Sequence, residues 1–347
     1  MSEVRFKHVV LLEHIHVNSV AYQSASGSLR REGRHMLRGL MADLSNVPDC
    51  ELRVALCPQA AADLQPEAAV INVPETAAGC DDLADLLLSQ TSEPVAVILI
   101  APEIGMALPK LVRCLRRRGI AVLAPRTEVV EACSDKWQTH ELLQRSGLPT
   151  IATERLETIS RLGLAEDEKC IIKPRDGAGC EGVFTTTPRE IARRQVPGAG
   201  SSPGRIVQPL IEGQSLSVGL IGQGQGHSPL FLPVAEQNIQ WAGGRPRYRG
   251  GRVPARLSAS LKSDITDLCH RIAWTLQLED GYVGVDLILP SAASSVIITE
   301  INPRLCSSYL GYRLATPDNL ATWVLQRRIG ASVRWADDTI EFDVEKS

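Results

Sequence analysis

Apolar positions in the first 133 residues follow two alternating patterns. Residues 8–12, 51–57, 69–73, 95–100 and 120–124 are short, apolar-rich runs of strand length. Between them Leu29, Gly33, Met36, Leu37, Leu40 and Leu44 recur at the spacing of one helix face, as do Leu108, Leu111, Val112 and Leu115. Residues 81–89 add another helix. Strands alternating with helices predict a mostly parallel, Rossmann-like α/β layer. The second stripe ends in Arg116-Arg117-Arg118-Gly119. A cationic last turn followed by glycine stops a helix, so this run needs no nucleic-acid role.

After Cys133 the rhythm changes. Ser134 is placed to cap a helix over 135–145, ended by Gly147 and Pro149. Strand signals at 169–174, 183–186 and 205–211 accompany the loop Asp176-Gly177-Ala178-Gly179-Cys180-Glu181-Gly182. Thr187-Pro188-Arg189-Glu190 opens a short helix with a capping box and proline at its first position. Residues 195–203, rich in Gly, Ser and Pro, read as a surface loop. Residues 134–212 therefore predict a small α+β lobe of antiparallel strands. Strands at 215–221 and 230–234 follow, then a helix carrying Ile265, Leu268, Cys269, Ile272 and Leu276, then two acid-bearing strands. A helix over 319–328 and a charged tail end the chain. The expected division is 1–133, 134–212 and 213–347.

Bulk properties narrow the function classes. A chain of 347 residues is long enough for two or three lobes. The net charge of −3 gives no general attraction to nucleic acid or anionic membrane. No apolar run approaches the ~20 residues a membrane helix needs, and Met1–Arg5 lacks a signal-peptide pattern. The nine cysteines are odd in number and include no C-x-x-C pair. They read as reduced thiols of a cytoplasmic protein rather than a zinc site or disulfide framework.

The candidate chemistry centres on Ile297-Ile298-Thr299-Glu300-Ile301-Asn302-Pro303-Arg304. Alternate side chains on a strand share a face, so Glu300 and Asn302 point the same way, with Arg304 just beyond. Residues 284–289 read as a neighbouring strand with one acid, Asp286. Such oxygen donors suit a hard cation, and an arginine suits phosphate. Taken alone, E-x-N-x-R also reads as a solvated strand face. Gly177, Gly179 and Gly182 leave backbone N–H groups unshielded and free to adopt positive φ, so their loop can close over phosphate oxygens. A mobile hairpin is the other reading. The loop fits neither a Walker A motif nor a dinucleotide fingerprint. Lys173 closes the apolar strand that leads into it. Lys136 lies early in a helix, where the macrodipole slightly disfavours a cation; on its own it reads equally as solvated.

In order, Asp135-Lys136, Lys173-Pro174 with the glycine loop, Val207-Gln208-Pro209-Leu210-Ile211-Glu212-Gly213, Ser217-Val218, Asp286 and Glu300 to Arg304 resemble the ATP-grasp superfamily. The resemblance covers roughly 134–313 and implies an ATP-grasp fold behind an N-terminal α/β domain. It implies ATP between two lobes, with Lys136, Lys173 and the glycine loop on its phosphates. The hinge residues Gln208, Leu210 and Ile211 would meet adenine, and Ser215 would lie near the ribose. Mg²⁺, or Mn²⁺ in its place, would sit on Asp286, Glu300 and Asn302. Lys173 and Arg304 are the implied catalytic residues, Arg304 binding the transferring phosphoryl group or acyl phosphate. A substrate carboxylate would attack the γ-phosphate, and an amine would then displace phosphate. Gln208 departs from the acid many members carry there, and Ser215 from the ribose-binding glutamate of several.

Further segments resemble the tyramine–glutamate ligases of methanofuran-type coenzyme synthesis. They are Glu236-Gln237-Asn238-Ile239, Tyr248 to Pro254, Arg304 to Gly311, Ala101-Pro102-Glu103 and Arg31-Glu32-Gly33. That likeness implies glutamate as activated acid, tyramine, tyrosine or a related amine as acceptor, and a place in C1-carrier (methylofuran or methanopterin) synthesis. The partners would be small molecules, with neither nucleic acid nor membrane; a homodimer is common but marked by no motif. Tyr248, Arg249 and Arg252 read either as a substrate cover or as an exposed hairpin. Ser307, Ser308 and Tyr309 read as lining of an acceptor pocket, or the serines as helix caps, and Arg304 also as a structural salt bridge. Besides a ligase, a non-catalytic ATP-binding sensor or scaffold and a small-molecule kinase or carboxylase on the same fold stay open.

Overall fold

The computed structural model describes residues 6–77, 79–90, 93–193 and 204–345. Met1–Arg5 and the expected loop at 195–203 lie outside the described residues. Three sheets correspond to the three rhythms of the sequence. The first contains β1 (His8–Glu13), β2 (Glu51–Leu56), β3 (Ala69–Asn72), β4 (Val95–Ile100) and β5 (Ala121–Val122), in the order β3-β2-β1-β4-β5 with every pair parallel. Its strands are apolar on both faces because helices cover both. Val9 and Leu11 pack with the helix Gly27–Ser45, whereas Val10 and Leu12 pack on the other side with Leu108, Val112 and Leu115. Because β1 neighbours β4, the ends of these strands, Glu13 and Ile100, lie side by side. This is the point where the strand order reverses, and crevices at such points bind ligands in open α/β sheets.

The second sheet is antiparallel. It holds β6 (Glu154–Arg155), β7 (Cys170–Pro174), β8 (Phe184–Thr186) and β9 (Arg205–Pro209), in the order β6-β9-β7-β8. Its own fully buried apolar cluster is only Cys170, Ile172 and Val207. The adjoining helix is Lys136–Arg145, and its cap is Asp135 rather than the expected Ser134. The Asp135 carboxylate accepts from the backbone N–H of Trp137 at 2.9 Å and of Gln138 at 3.4 Å. A negative charge at a helix start satisfies free donors and complements the dipole. Ser134 instead follows the preceding helix, Thr127–Cys133.

The third sheet contains β10 (Gly213–Ile221), β11 (Leu230–Phe231), β12 (Ala235–Ala242), β13 (Arg245–Val253), β14 (Tyr282–Pro290), β15 (Ile297–Asn302) and β16 (Ile340–Asp343). Its order is β15-β14-β10-β12-β13-β16, with β11 on β10. The helix Ala259–Leu276 buries Ile265, Leu268, Cys269, Ile272 and Leu276 against Leu216, Val218, Val283 and Val285. Two expected elements are shorter than the pattern suggested. The strand at 230–234 is only Leu230–Phe231, and the helix at 319–328 is Ala321–Gln326. Asn319 Oδ1 accepts from the Ala321 N–H, which sets the start of that helix, and Arg327 leaves the helical region at φ 45°. The charged tail is partly a strand, because Phe342 is buried there and β16 pairs with β13.

One apolar core joins the first and third sheets. Met36, Leu37 and Leu40 of helix Gly27–Ser45 share it with Tyr309, Leu310, Trp323 and Phe342. The Tyr309 hydroxyl donates to Asp43 at 2.7 Å, and Arg313 pairs with the same carboxylate. We expect Leu40→Ala to cost about 2–5 kcal/mol of stability. Because that core is shared, denaturant melts followed by helix and by aromatic signals should shift together; separate transitions would show that the two layers unfold independently.

Candidate active site

Lys136 is the first residue of its helix, and three contacts fix where it stands. Asp135 caps the helix and is itself gripped by Arg175, whose Nε donates to Asp135 Oδ1 at 3.0 Å. The Lys136 N–H donates to the Arg175 carbonyl at 2.8 Å. The Lys136 ammonium then donates to the Gly177 carbonyl at 2.6 Å and pairs with Glu300 at 2.8 Å. A single side chain thus ties the glycine loop of the second sheet to the acid-bearing strand of the third.

The acids themselves are set by strand register. In the antiparallel pair of β14 and β15, Asp286 lies opposite Glu300 and Gly284 opposite Asn302. Leu287 pairs with Ile298, so Thr299 is an extra residue in β15, a bulge of the kind that re-aims side chains. Asp286 accepts from Gln237 Nε2 at 2.9 Å and from Asn302 Nδ2 at 3.0 Å. With the Asn302 nitrogen committed, its oxygen is the group left for a cation. Burial, then the Glu300 charge, pushes the Asp286 carboxyl up to about 6, against hydrogen bonds from Ser217, Asn302 and Gln237. Burial pushes Glu300 the same way, but Lys136 and Lys173 bring it below its ordinary value. Two desolvated carboxylates and an amide oxygen fit a hard divalent cation that takes its remaining ligands from water or phosphate. Among the described residues no three His, Cys, Asp or Glu side chains form a metal cluster.

The two lysines differ. Burial lowers Lys136, yet Glu300 and Glu103 carry it above its ordinary value. Lys173 is lowered, by burial and then by Lys136, with Glu300 opposing. No acceptor lies within hydrogen-bond range of the Lys173 ammonium among the described residues.

These groups border one continuous cleft. Lys136, Lys173, Gly177 and Gly179 line it together with Gln208, Leu210, Ile211, Ser215 and Glu300. An adjoining pocket is lined by Glu32, Gly179, Tyr248, Asp286, Asn302, Arg304, Ser307 and Ser308. Gly179 has φ +60°, and a Cβ there would stand 2.9 Å from Leu29 Cδ2. Gly182 lies outside both linings; at φ +70°, with Pro174 2.8 Å from any added Cβ, it closes the turn. Along the hinge, Leu210 N–H is used by the Lys169 carbonyl at 3.0 Å, whereas Ile211 N–H has no partner among the described residues. Gln208 Nε2 donates to Thr153 Oγ1 at 2.9 Å, and Gln208 Oε1 is buried without a partner.

Arg304 is held bidentately by Glu103, at 2.9 and 3.0 Å, with a third bond to the Leu305 carbonyl. Burial opposes its charge, but Glu103 holds it above its ordinary value. It is therefore a buried ion pair that also borders the pocket. Tyr309 does not reach the pocket: it is fully buried and bonded to Asp43. Arg249 and Arg252 face a separate groove, paired with Glu345 and Glu236. Several supporting contacts had no local signature in residue order: Asp135 with Arg175, Asp176 with the Gly105 N–H at 2.8 Å, and Gln237 with Asp286. Glu103 was visible as a motif residue, but a pairing across 201 positions leaves no local signal.

Residues 133–308, just over half of the chain, match the ATP-grasp domain family. The tyramine–L-glutamate ligase of Methanocaldococcus fervens is 24% identical over 249 residues, which is 72% of this chain and 71% of that protein. The structure of an ATP-grasp superfamily protein from Archaeoglobus fulgidus superposes with a TM-score of 0.69 at 22% identity, covering 95% of this chain and 90% of that one. An L-amino acid ligase from Bacillus licheniformis superposes with a TM-score of 0.66 at 16% identity, covering 93% and 74%.

The raised Asp286 carboxyl has a measurable consequence. The folded chain keeps this proton to higher pH than the unfolded chain, whose ordinary value is 3.8. Stability is therefore lost as pH rises from about 4 to about 6. For metal-free protein we expect Asp286→Asn to be the more stable form at pH 7, by on the order of 2 kcal/mol, and the difference to vanish near pH 4. Urea melts at the two pH values check this; equal gaps would contradict the assignment.

Proposed function

This chain belongs to the ATP-grasp domain family and is by that membership an ATP-dependent ligase; from that premise we propose that it joins a small-molecule carboxylate to an amine through an acyl phosphate. The observation that carries this reading is the Lys173 ammonium, unpaired among the described residues, which shares a cleft with Lys136 and Glu300, with Asp286 in the adjoining pocket. A purely structural cluster would have neutralised that cation, as Arg304 is neutralised by Glu103.

In this reading ATP lies along the cleft. Adenine meets the free Ile211 N–H, with Gln208 and Leu210 beside it and Ser215 toward the ribose. Lys136 and Lys173 take phosphate oxygens, and the glycine loop covers them through the Gly179 N–H, the Gly177 N–H being used by the Pro174 carbonyl at 3.4 Å. Asp286, Glu300 and Asn302 would hold Mg²⁺, with Mn²⁺ as a substitute, and that ion when bound offsets the phosphate charge. A substrate carboxylate oxygen bonds to the γ-phosphorus and ADP leaves. The amine nitrogen then bonds to the acyl carbon and phosphate leaves. Lys173, and Arg304 through the donors that Glu103 does not occupy, stabilise the charge that develops on the transferring group. Closure of the glycine loop excludes water from the acyl phosphate.

We read residues 1–133 as the partner domain, 134–212 as the small lobe and 213–347 as the large lobe. The substrate proposal follows the Methanocaldococcus relative: glutamate as the acid and tyramine or a related amine as acceptor. Among the described residues no helix is long and apolar enough to cross a membrane, and a cytoplasmic site of action is part of the proposal.

With ATP, Mg²⁺, L-glutamate and tyramine, ADP and phosphate should appear one for one with amide. Hydroxylamine in place of the amine should trap a hydroxamate. Lys173→Ala should lower kcat on the order of 100-fold or more. Tight ATP binding without turnover across a broad acid and amine screen would instead indicate a sensor. Mg²⁺ should raise the melting temperature of the nucleotide-bound wild type and do so far less for Asp286→Asn.

A further inference from the structure

Four carboxylates stand in or just behind the pocket beside the acid-bearing strands, and three are already engaged. Asp286 is bonded by Gln237 and Asn302, Glu300 is paired with Lys136, and Glu103 is gripped by Arg304. Glu32, from helix Gly27–Ser45, differs. It accepts a hydrogen bond from the Ser307 hydroxyl, and among the described residues no cation lies within ion-pair range of it. It is partly buried and lines the pocket. Arg304 feels the Glu32 charge but is bonded to Glu103, so an incoming cation would give Glu32 a direct partner.

The space beside this carboxylate is kept open. A Cβ on Gly179 would stand 3.2 Å from Glu32 Oε2 and 2.9 Å from Leu29 Cδ2, so glycine is the residue that leaves room at that oxygen. The same pocket holds a second unused polar group, the Tyr248 hydroxyl, which is buried without a partner among the described residues. Lys136 and Lys173 line the adjoining cleft, and Arg304, which borders this pocket, is held by Glu103, so the Glu32 carboxylate is not taken up by an ion pair.

We propose that Glu32 receives the primary ammonium group of a substrate. The inference rests on the ligase reading and adds to it a residue that selects for a charged amine. Two sources share this chemistry: the acceptor amine, and the α-ammonium group of an amino-acid donor. A binding carboxylate on the wall formed by helix Gly27–Ser45 would also explain why the N-terminal layer shares its core with the third sheet, since the pocket needs both walls held in register.

Glu32→Gln is the decisive variant, because its amide oxygen still accepts from Ser307 while the charge is gone. Three reactions are compared with wild type: amide formation from L-glutamate and tyramine, hydroxamate formation from L-glutamate and hydroxylamine, and hydroxamate formation from glutarate and hydroxylamine. A KM for tyramine raised about 10- to 100-fold, with hydroxamate formation unchanged, supports the acceptor amine as the source. A similar rise in the KM for L-glutamate but not for glutarate supports the donor ammonium. In either case Glu32→Asp should recover part of the loss. All KM values within twofold of wild type, or an equal loss in all three reactions including glutarate, would overturn the proposal. If wild type makes neither product, the ligase reading with these substrates fails on its own. Calorimetry of tyramine and of L-glutamate with both proteins then decides the question for Glu32: weaker binding of either to the variant supports it, and unchanged or undetectable binding overturns it.

Discussion

The arrangement depends on one ammonium group. Lys136 is shared by the Gly177 carbonyl and the Glu300 carboxylate, so a loop of the second sheet and a strand of the third are held by a single side chain. The constraint behind it is electrostatic. Register places Asp286 and Glu300 directly across β14 and β15, and two partly desolvated acids at that separation repel. Part of the compensation comes from outside their own sheet, from the two lysines. The orientation of the small sheet on the large one is therefore tied to the charge balance of the site.

Stability and adaptability are divided between different parts of the molecule. The first and third sheets share a broad apolar core in which Leu37, Leu40, Tyr309 and Tyr312 are essentially inaccessible. The second sheet has few fully buried apolar residues of its own. Its polar ties to the rest include Lys136 to Glu300, Asp176 to the Gly105 N–H, and Ser26 to Glu181, while Leu143 of the adjoining helix packs in the core of the third sheet. Polar ties of this kind add little net stability each, because both partners are well solvated when apart. A small sheet with few buried apolar residues beside a broad shared core suits the proposed reaction, in which the site opens for nucleotide and closes over the acyl phosphate.

Charge placement also distinguishes groups that hold the fold from groups left for ligands. Arg304 and Glu103 neutralise each other in a buried bidentate pair. Arg175 and Asp135 do the same at the helix cap. Lys173 and Glu32 do not: each stands in a lining position with no ion-pair partner among the described residues. An unpaired cation suits phosphate and an unpaired anion suits an ammonium group.

Much of this was legible from residue order. The two-sided apolar strands, the antiparallel small sheet, the glycine loop between β7 and β8, and the E-x-N alternation follow from periodicity and local turn chemistry, which act over a few residues. Even so, Asp135 rather than Ser134 caps the helix, because a charged cap can bond the backbone and Arg175 together. Tyr309, which follows the acid-bearing strand, points into the core and not the pocket. Element types and the chemical character of the candidate groups were readable along the chain, since both depend on local spacing. Which charges are cancelled and which stay free was set by folding. Glu103 meets Arg304, and Ser307 meets Glu32, across more than 200 residues, and no local pattern encodes a contact between segments that far apart.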